Sequence, residues 1–359
     1  MICNFIQTRA VALFIVCICI AAHSQDIQYS QFFNTPLITN PALTGRMKED
    51  IRLGLIHREQ WVMVNSPYQS TSGYFDINFP KNPLNADLAG LGLVVINDKS
   101  GFNGRLSNLL IMASGAIHQN LDELKRHRLS FGVQLGINQV NINSDGLLFN
   151  SQYNTSDASR PINEFNGAIP TSELNTLNAL SGTKLKANTG FYYDYLASRK
   201  LELFAGLGLF NLATPTQGRL RYNLQLGVNY RIKPKLGVSP TIYYSSQAAT
   251  SNMIAGANFD YTLTQIASKT KVILYVGVWY RMNDALYPYL GLRFNNFLIG
   301  FNHDIGMSRF NDIKQAIDQD TRTSLTNVGI VGAWEISITY VGYLNRAIPG
   351  DATVPCKIF

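Results

Sequence analysis

The sequence has 359 residues, of which 46% are hydrophobic and 15% charged, with a formal net charge of +7. The basic residues are scattered along the chain, which argues against the clustered stripe of a nucleic-acid-binding surface. After residue 24 there is no run of about 18 consecutive apolar residues, so no transmembrane helix is predicted.

Residues 1–24 are predicted to be a signal peptide. Arg9 precedes an apolar run over residues 10–20 that is too short to cross a bilayer comfortably, and small residues precede a cleavage site before Gln25. The exported chain would keep a single cysteine, Cys356, which excludes an intrachain disulfide.

Residues 25–50 are too polar to form a strand. Pro36 and Pro41 favour extended or turned backbone in this segment. It nevertheless carries apolar side chains that would not stay in water: Tyr29, Phe32, Phe33, Leu37, Ile38 and Leu43. We expect this segment to pack inside the domain that follows, or under its periplasmic mouth.

Residues 51–345 are predicted to form an all-β, antiparallel barrel in the outer membrane. In residues 219–231, apolar residues alternate with polar residues or glycine, so one face of the strand is apolar. Such stripes match the roughly 9–11 residues with which a tilted strand crosses a bilayer. An open sheet would leave the backbone N–H and C=O groups of its edge strands unpaired in lipid, so the sheet is predicted to close into a barrel. The predicted strands are 52–64, 68–79, 87–97, 105–119, 128–141, 184–196, 199–211, 219–231, 235–247, 252–264, 270–281, 286–295, 297–306 and 331–343.

The even number of strands predicts that both termini are periplasmic, including the tail over residues 346–359. Connections after even strands should then be short and periplasmic. Residues 232–235 and 295–296 are very short, whereas other such connections, for example 80–86, are longer. The two longest connections, 142–183 and 307–330, follow odd strands and are therefore predicted to be extracellular loops.

Several local features refine this prediction. Residues 172–180 and 310–317 could each form a helical turn within a long loop. Pro240 and Pro288 lie inside predicted strands and predict bulges or local breaks, because proline cannot donate to a ladder. Aromatic residues near strand ends suit the membrane-interface belts: Trp61, Tyr193, Tyr195, Tyr230, Trp279, Tyr280 and Tyr340.

The sequence offers no recognisable catalytic constellation. The exported chain has four histidines, which we interpret as lumen or loop residues: His57, His118, His127 and His303. None has the helical spacing of a zinc protease. Ser268 and Lys271 match a serine–lysine spacing, but in an inter-strand turn. We therefore predict no enzyme activity, no catalytic residue, no cofactor and no metal ion; a barrel hydrolase would instead lose activity when Ser268 or a histidine is replaced.

Short motifs resemble the PorP/SprF family of type IX secretion system membrane proteins. They are QYSQFFN at residues 28–34, NPALTG at 40–45, REQW at 58–61 and QSTS at 69–72, with a tail ending PCKIF at 355–359. Family members often end in Pro-Cys-Pro-basic-Phe, from which the Lys-Ile here departs. The residues that carry the resemblance are Gln28, Tyr29, Gln31, Phe32, Asn40, Pro41, Ala42, Gly45, Arg58, Gln60, Trp61, Cys356 and Phe359.

The resemblance implies a non-enzymatic outer-membrane barrel that works with the type IX secretion machinery. Its partners would be that machinery, the C-terminal domain of a secreted cargo protein such as a gliding adhesin, and outer-membrane lipid, but not nucleic acid. We expect loops 142–183 and 307–330 and the upper lumen to contact the cargo, so deleting residues 145–180 should release it.

The alternative is a transporter of apolar small molecules of the fatty-acid-channel type. Such proteins also have fourteen strands and an N-terminal hatch bearing Asn-Pro-Ala, as at residues 40–42 here, although their hatch is usually longer. Uptake of a labelled fatty acid into liposomes would distinguish this alternative from binding of a secreted protein.

Overall fold

The computed structural model describes residues 26–61, 67–79, 86–101, 104–144, 171–213, 220–248, 250–264, 270–307 and 332–344. The predicted signal peptide, the predicted helical turn at 310–317 and the tail with Cys356 and Phe359 lie outside these residues, as does most of both long loops.

Fourteen antiparallel strands form a closed barrel in which each strand pairs with the next and β14 pairs with β1. The strands are β1 Ile51–Gln60, β2 Tyr68–Phe79, β3 Leu88–Ser100, β4 Leu106–Asn120, β5 His127–Ile142, β6 Gly182–Ser198, β7 Leu201–Phe210, β8 Arg221–Lys233, β9 Leu236–Gln247, β10 Thr250–Thr262, β11 Val272–Arg281, β12 Ala285–Phe294, β13 Phe297–Gly306 and β14 Ala333–Gly342. Each of them overlaps its predicted counterpart, so the predicted fourteen-stranded barrel is confirmed.

Two α-helices accompany the barrel in the described part of the chain. They are α1 at Pro36–Thr39 and α2 at Thr171–Leu180, and α2 falls where a helical turn was predicted in the first long loop. Neither helix is long and apolar enough to cross a membrane.

The two faces of the sheet differ in polarity, most clearly in β8. In β8, Leu224 and Leu226 are exposed on the outside, whereas Asn223 and Gln225 are buried in the lumen. An apolar exterior around a polar interior is the arrangement that a barrel in lipid requires, because its outer side chains meet hydrocarbon.

The two ends of the barrel differ in the length of their connections. At the end where β1 begins, hereafter the turn end, two-residue turns at 199–200, 234–235 and 295–296 join successive strands. At the opposite end, hereafter the loop end, residues 143–181 and 307–332 form the two longest connections.

The two strand prolines break one ladder each, as predicted. Pairing of β8 with β9 skips from Thr241 to Val238, although Pro240 stays aligned with its partner in β10. Pairing of β12 with β13 similarly skips from Leu286 to Tyr289, past Pro288. Each proline therefore keeps its pairing on the other side.

Three predicted side-chain placements are wrong, those of Trp279, His57 and His303. Trp279 lies inside the lumen and is 1% exposed, while its neighbour Tyr280 faces outward as predicted. His57 and His303 lie on the outer face, alternating with buried lumen residues, whereas His118 is buried in the lumen. In each case the residue's place in the two-residue alternation decides the face, and its polarity or its nearness to a strand end does not.

Candidate functional site

The lumen is occupied by residues 26–50, hereafter the plug segment. At the loop end, the Asn211 side-chain amide donates to Asp26 at 2.8 Å. At the turn end, the backbone N–H of Asp50 donates to Gly342 at 2.9 Å. Asp26 therefore lies at the opposite end of the barrel from the start of β1 and the end of β14, because the plug segment runs the length of the bore. That both termini are periplasmic stays a prediction.

The plug segment folds as three short helical turns set by its prolines. A 3₁₀ turn at Phe32–Asn34 is followed by α1 and by a second 3₁₀ turn at Pro41–Leu43. Pro36 and Pro41 each open a turn, where the missing N–H costs nothing and φ is already helical. Asn40 caps the last turn by accepting from the N–H of Ala42 at 2.9 Å.

All fourteen strands contribute residues that contact the plug segment or approach its backbone closely. The strand-side partners, in order from β1 to β14, are Arg58, Ser72, Gly90, Ser114, Gln134, Phe191, Glu202, Asn223, Ser245, Asn252, Arg281, Tyr287, Asn302 and Glu335. Because the contacts come from every side, the segment is held around its whole circumference.

A buried ion-pair cluster fixes the loop-end half of the plug segment. Glu335 is completely buried, accepts the backbone N–H of Ser30 at 2.7 Å and pairs with Arg58. Arg281 pairs with Asp304 at 3.0 Å, and the Ser30 hydroxyl donates to Asp304 at 2.8 Å. Two guanidinium groups thus face two carboxylates, which is the condition under which buried charges are tolerated.

An aromatic cluster holds the middle of the segment on one side of the bore. Phe32 stacks on Tyr243 with ring centroids 4.7 Å apart and meets Trp279 edge-on at 5.2 Å. Phe33 stacks on Trp279 at 5.1 Å and meets Tyr289 edge-on at 4.9 Å. These geometries are favourable for aromatic pairs, so the cluster adds packing energy to the polar contacts.

A second ion pair fixes the plug segment near the turn end. Arg52 makes two hydrogen bonds to Asp76, at 2.9 and 2.6 Å, and the N–H of Gly45 donates to the same carboxylate at 2.7 Å. Gly45 adopts a φ of +69°, and a β-carbon there would come 2.5 Å from the α-carbon of Gly90. Glycine is therefore required at position 45, because other residues rarely adopt this φ and because a side chain would overlap the backbone of β3.

Most of the sequence-predicted site residues in the described chain converge in the lumen. Gln28 donates to Ser245 at 2.8 Å, and Tyr29 shares a 2.5 Å hydrogen bond with Ser72. Gln31, Phe32, Asn40, Pro41, Ala42, Gly45 and Arg58 are buried there as well. Gln60 makes only a 3.4 Å contact with Arg58, and Trp61 lies at the loop end, 41% exposed and edge-on to Tyr68.

Sequence reasoning missed the strand residues that receive the plug segment, above all Asp76, Arg281, Asp304 and Glu335. Each is a buried charged residue that faces the lumen. Such inward charges need buried partners, which is the signal that could have identified them.

A small cavity remains at the loop end beside the plug segment. Its volume is about 50 Å³, and it is lined by apolar residues that include Leu37, Ile96 and Met112 and by Asp98, Lys186 and Arg221. Lys186 is hydrogen-bonded to Asn211, and Arg221 lies over the Phe210 ring at 4.2 Å. Hereafter this is the loop-end cavity.

The described ranges contain no group of three or more His, Cys, Asp or Glu side chains that could hold a metal ion. Their buried charged groups are engaged in contacts that hold the plug segment and the barrel wall together.

Comparison of the sequence with protein families gives one decisive match. The family described as type IX secretion system membrane protein PorP/SprF matches residues 21–317. The chain belongs to this family. PorP/SprF proteins are membrane components of the type IX secretion system, and the resemblance drawn from the short motifs is confirmed. No curated protein matches the sequence significantly.

Solved structures give the same architecture at low sequence identity. Two mutants of TodX, a Pseudomonas putida monoaromatic hydrocarbon channel, superpose with TM-scores of 0.52 and 0.50 at 9% and 11% identity, each over 87% of this chain and 94% of theirs. The Ralstonia pickettii toluene transporter TbuX is 12% identical with a TM-score of 0.47 over the same shares. At these identities the likeness concerns the fold alone, which is that of an outer-membrane barrel.

Proposed function

We propose that this PorP/SprF protein is a non-enzymatic outer-membrane component of the type IX secretion system that assists export or surface anchoring of a secreted partner. The partner would be an adhesin-like protein bound through its C-terminal domain. The observation that carries the proposal is the filled lumen, which suits a fixed docking platform better than a conduit.

The plug segment is held too firmly to leave the lumen spontaneously. To leave the lumen, the segment would have to break the hydrogen bonds from its backbone N–H groups to the buried carboxylates of Glu335 and Asp76, and hydrogen bonds to charged groups contribute about 1.5–3 kcal/mol each. Its aromatic cluster adds a further packing term. Conduction through the bore would therefore require several independent contacts to break together.

The turn end faces the periplasm in this proposal, and the loop end faces outward. Three two-residue turns lie at the turn end, the two longest connections lie at the loop end, and outer-membrane barrels have short periplasmic turns and longer outer loops. Asp26 and the loop-end cavity then lie on the outer half of the barrel, where a secreted protein arrives.

The loop-end cavity supplies a contact point for that partner. A volume of about 50 Å³ has room for one aliphatic side chain, whereas sites for drug-sized molecules usually measure roughly 300–1,000 Å³. Lys186 and Arg221 also line the cavity, Arg221 at 3.6 Å from the Asp26 carboxylate, and their N–H groups suit the backbone carbonyl groups of a peptide. The outer loops 142–183 and 307–330 remain predicted contacts, and most of their residues lie outside the described chain.

Surface retention of a secreted partner tests this proposal. Cells carrying Leu110→Gln and Lys186→Gln together, which change two residues that line the cavity, should release the partner into the medium. The matched control is Lys99→Gln, an exposed lysine on the outer face of β3, and this variant should retain the partner as the unchanged chain does. Equal retention by both variants, at equal levels of folded barrel, would refute the proposal.

A transporter of apolar small molecules is the second candidate. It is favoured by the likeness of the fold to hydrocarbon channels and by the apolar residues among those that line the loop-end cavity. Liposomes containing the full chain should fail to take up a labelled fatty acid if the lumen is closed; uptake well above that of empty liposomes would favour the transporter.

A further inference from the structure

Three neighbouring turns at the turn end carry only positive charge. They are the β6–β7, β8–β9 and β10–β11 turns, whose described residues, together with Lys233 at the end of β8, include five cations and no acidic residue. The cations are Arg199, Lys200, Lys233, Lys235 and Lys271, hereafter the basic arc.

The basic arc is not neutralised within the part of the chain that the structure describes. Arg231 and Arg293 nearby are paired, with Asp260 at 2.5 Å and Glu49 at 2.8 Å, whereas no ion pair joins an acidic side chain to any residue of the arc. Burial lowers the pKa of Lys271 most and the neighbouring Arg293 guanidinium lowers it further, against a smaller opposing effect of the Glu49 carboxylate. Positive charge is therefore crowded at this edge of the barrel.

The opposite side of the turn end has a different charge pattern. The described residues of the β2–β3 and β4–β5 turns hold three acids, Asp87, Asp122 and Glu123, together with Lys125 and Arg126. Lipid headgroups surround a barrel on all sides, so binding them would favour cations around the whole rim. An arc confined to one side instead suits a protein that docks on that side.

We propose that the basic arc is a docking surface for an acidic patch on a periplasmic protein of the secretion machinery. This inference rests on the proposed orientation, which places the turn end in the periplasm. Charges at the rim of an interface act mainly on the association rate and its salt dependence, and screening becomes effective beyond about 8–10 Å at physiological ionic strength. Such docking would fix the rotational position of the barrel relative to the machinery below it.

Charge reversal on the two sides of the turn end tests the inference. The full chain is placed in nanodiscs of neutral lipid and offered each periplasmic subunit of the machinery, purified singly. The triple variant Lys200→Glu, Lys233→Glu and Lys235→Glu should weaken capture of one subunit by about tenfold or more. The control variant Lys125→Glu and Arg126→Glu should stay within about twofold of the unchanged chain.

Each other outcome is informative. No loss in the triple variant, or an equal loss in the control, would overturn the inference. If the triple variant captures normally but is less stable to heat only in nanodiscs of anionic lipid, the arc serves headgroups and the inference is wrong.

The orientation is checked separately. Lys200→Cys in a Cys356→Ser background should react with an impermeant maleimide only after the outer membrane is opened, and labelling of intact cells would contradict the inference. The cavity variant and the charge-reversal variant test the two proposals separately. If the cavity variant releases the secreted partner but captures the periplasmic subunit normally, and the charge-reversal variant does the reverse, the proposed function and this inference depend on different surfaces.

Discussion

Replacing Glu335 by alanine should release the loop-end half of the plug segment while leaving the barrel closed. Glu335 is completely buried, accepts the N–H groups of Ser30 and Gln31 at 2.7 and 2.8 Å, and pairs with Arg58. In the variant, Arg58 keeps only the 3.5 Å contact with Asp304 as an ion pair. Removing one partner of a buried pair costs about 3–5 kcal/mol, so local opening should rise by roughly 10²–10⁴-fold.

Hydrogen exchange measured by mass spectrometry would detect this opening. Amides of the plug segment beyond the direct contacts of Glu335, such as that of Asn34, should lose protection by the same factor, while the amides of the barrel strands keep theirs. Glu59→Ala is the matched control, because Glu59 follows Arg58 on β1 but lies on the outer face and bonds to Gln69. Unchanged protection in Glu335→Ala, or equal loss in Glu59→Ala, would refute the role assigned to the buried ion pair.

Two further substitutions test the packing of the plug segment. Gly190→Ala should lower thermal stability by about 1–3 kcal/mol, because the new β-carbon would overlap the side-chain oxygen of Asn40, whereas Gly115→Ala, with its nearest atom at 3.6 Å, should change it little. The temperature at which each variant loses the fast gel mobility of the folded barrel measures this stability. Equal temperatures for the two variants would contradict the close approach of Asn40 to Gly190. Phe32→Ala should cost about 3–5 kcal/mol in thermal unfolding in detergent, more than lipid-facing Phe131→Ala, because it leaves a cavity among the aromatic rings. The reverse order would exclude a stabilising role for the aromatic cluster.

The barrel itself could be predicted from local pattern alone. The bounds of β2 and β13 match their predicted strands at both ends, and the others shift by a few residues. A period of two residues reports directly which face of a strand meets lipid, since each strand carries its own lipid-facing stripe. The same two-residue period places Trp279 on the lumen face. The prediction that Trp279 lies at the membrane interface relied on its being aromatic and disregarded this period.

The contents of the lumen could not be predicted in the same way. Ser30 and Glu335 are separated by 305 residues, and no local pattern links a plug residue to its partner on a distant strand. The position of Asp26 was missed for a related reason. An even strand number constrains where β1 begins and β14 ends, but it leaves open the path of a segment that precedes the barrel.

Ion conductance across a planar bilayer tests most directly whether the barrel is a closed platform. The full chain should insert without opening steady pores, and a chain lacking residues 28–44 should open pores, because a fourteen-stranded barrel without its plug encloses an aqueous channel. Steady pores formed by the unaltered chain would contradict the filled lumen and, with it, the docking function proposed for this protein.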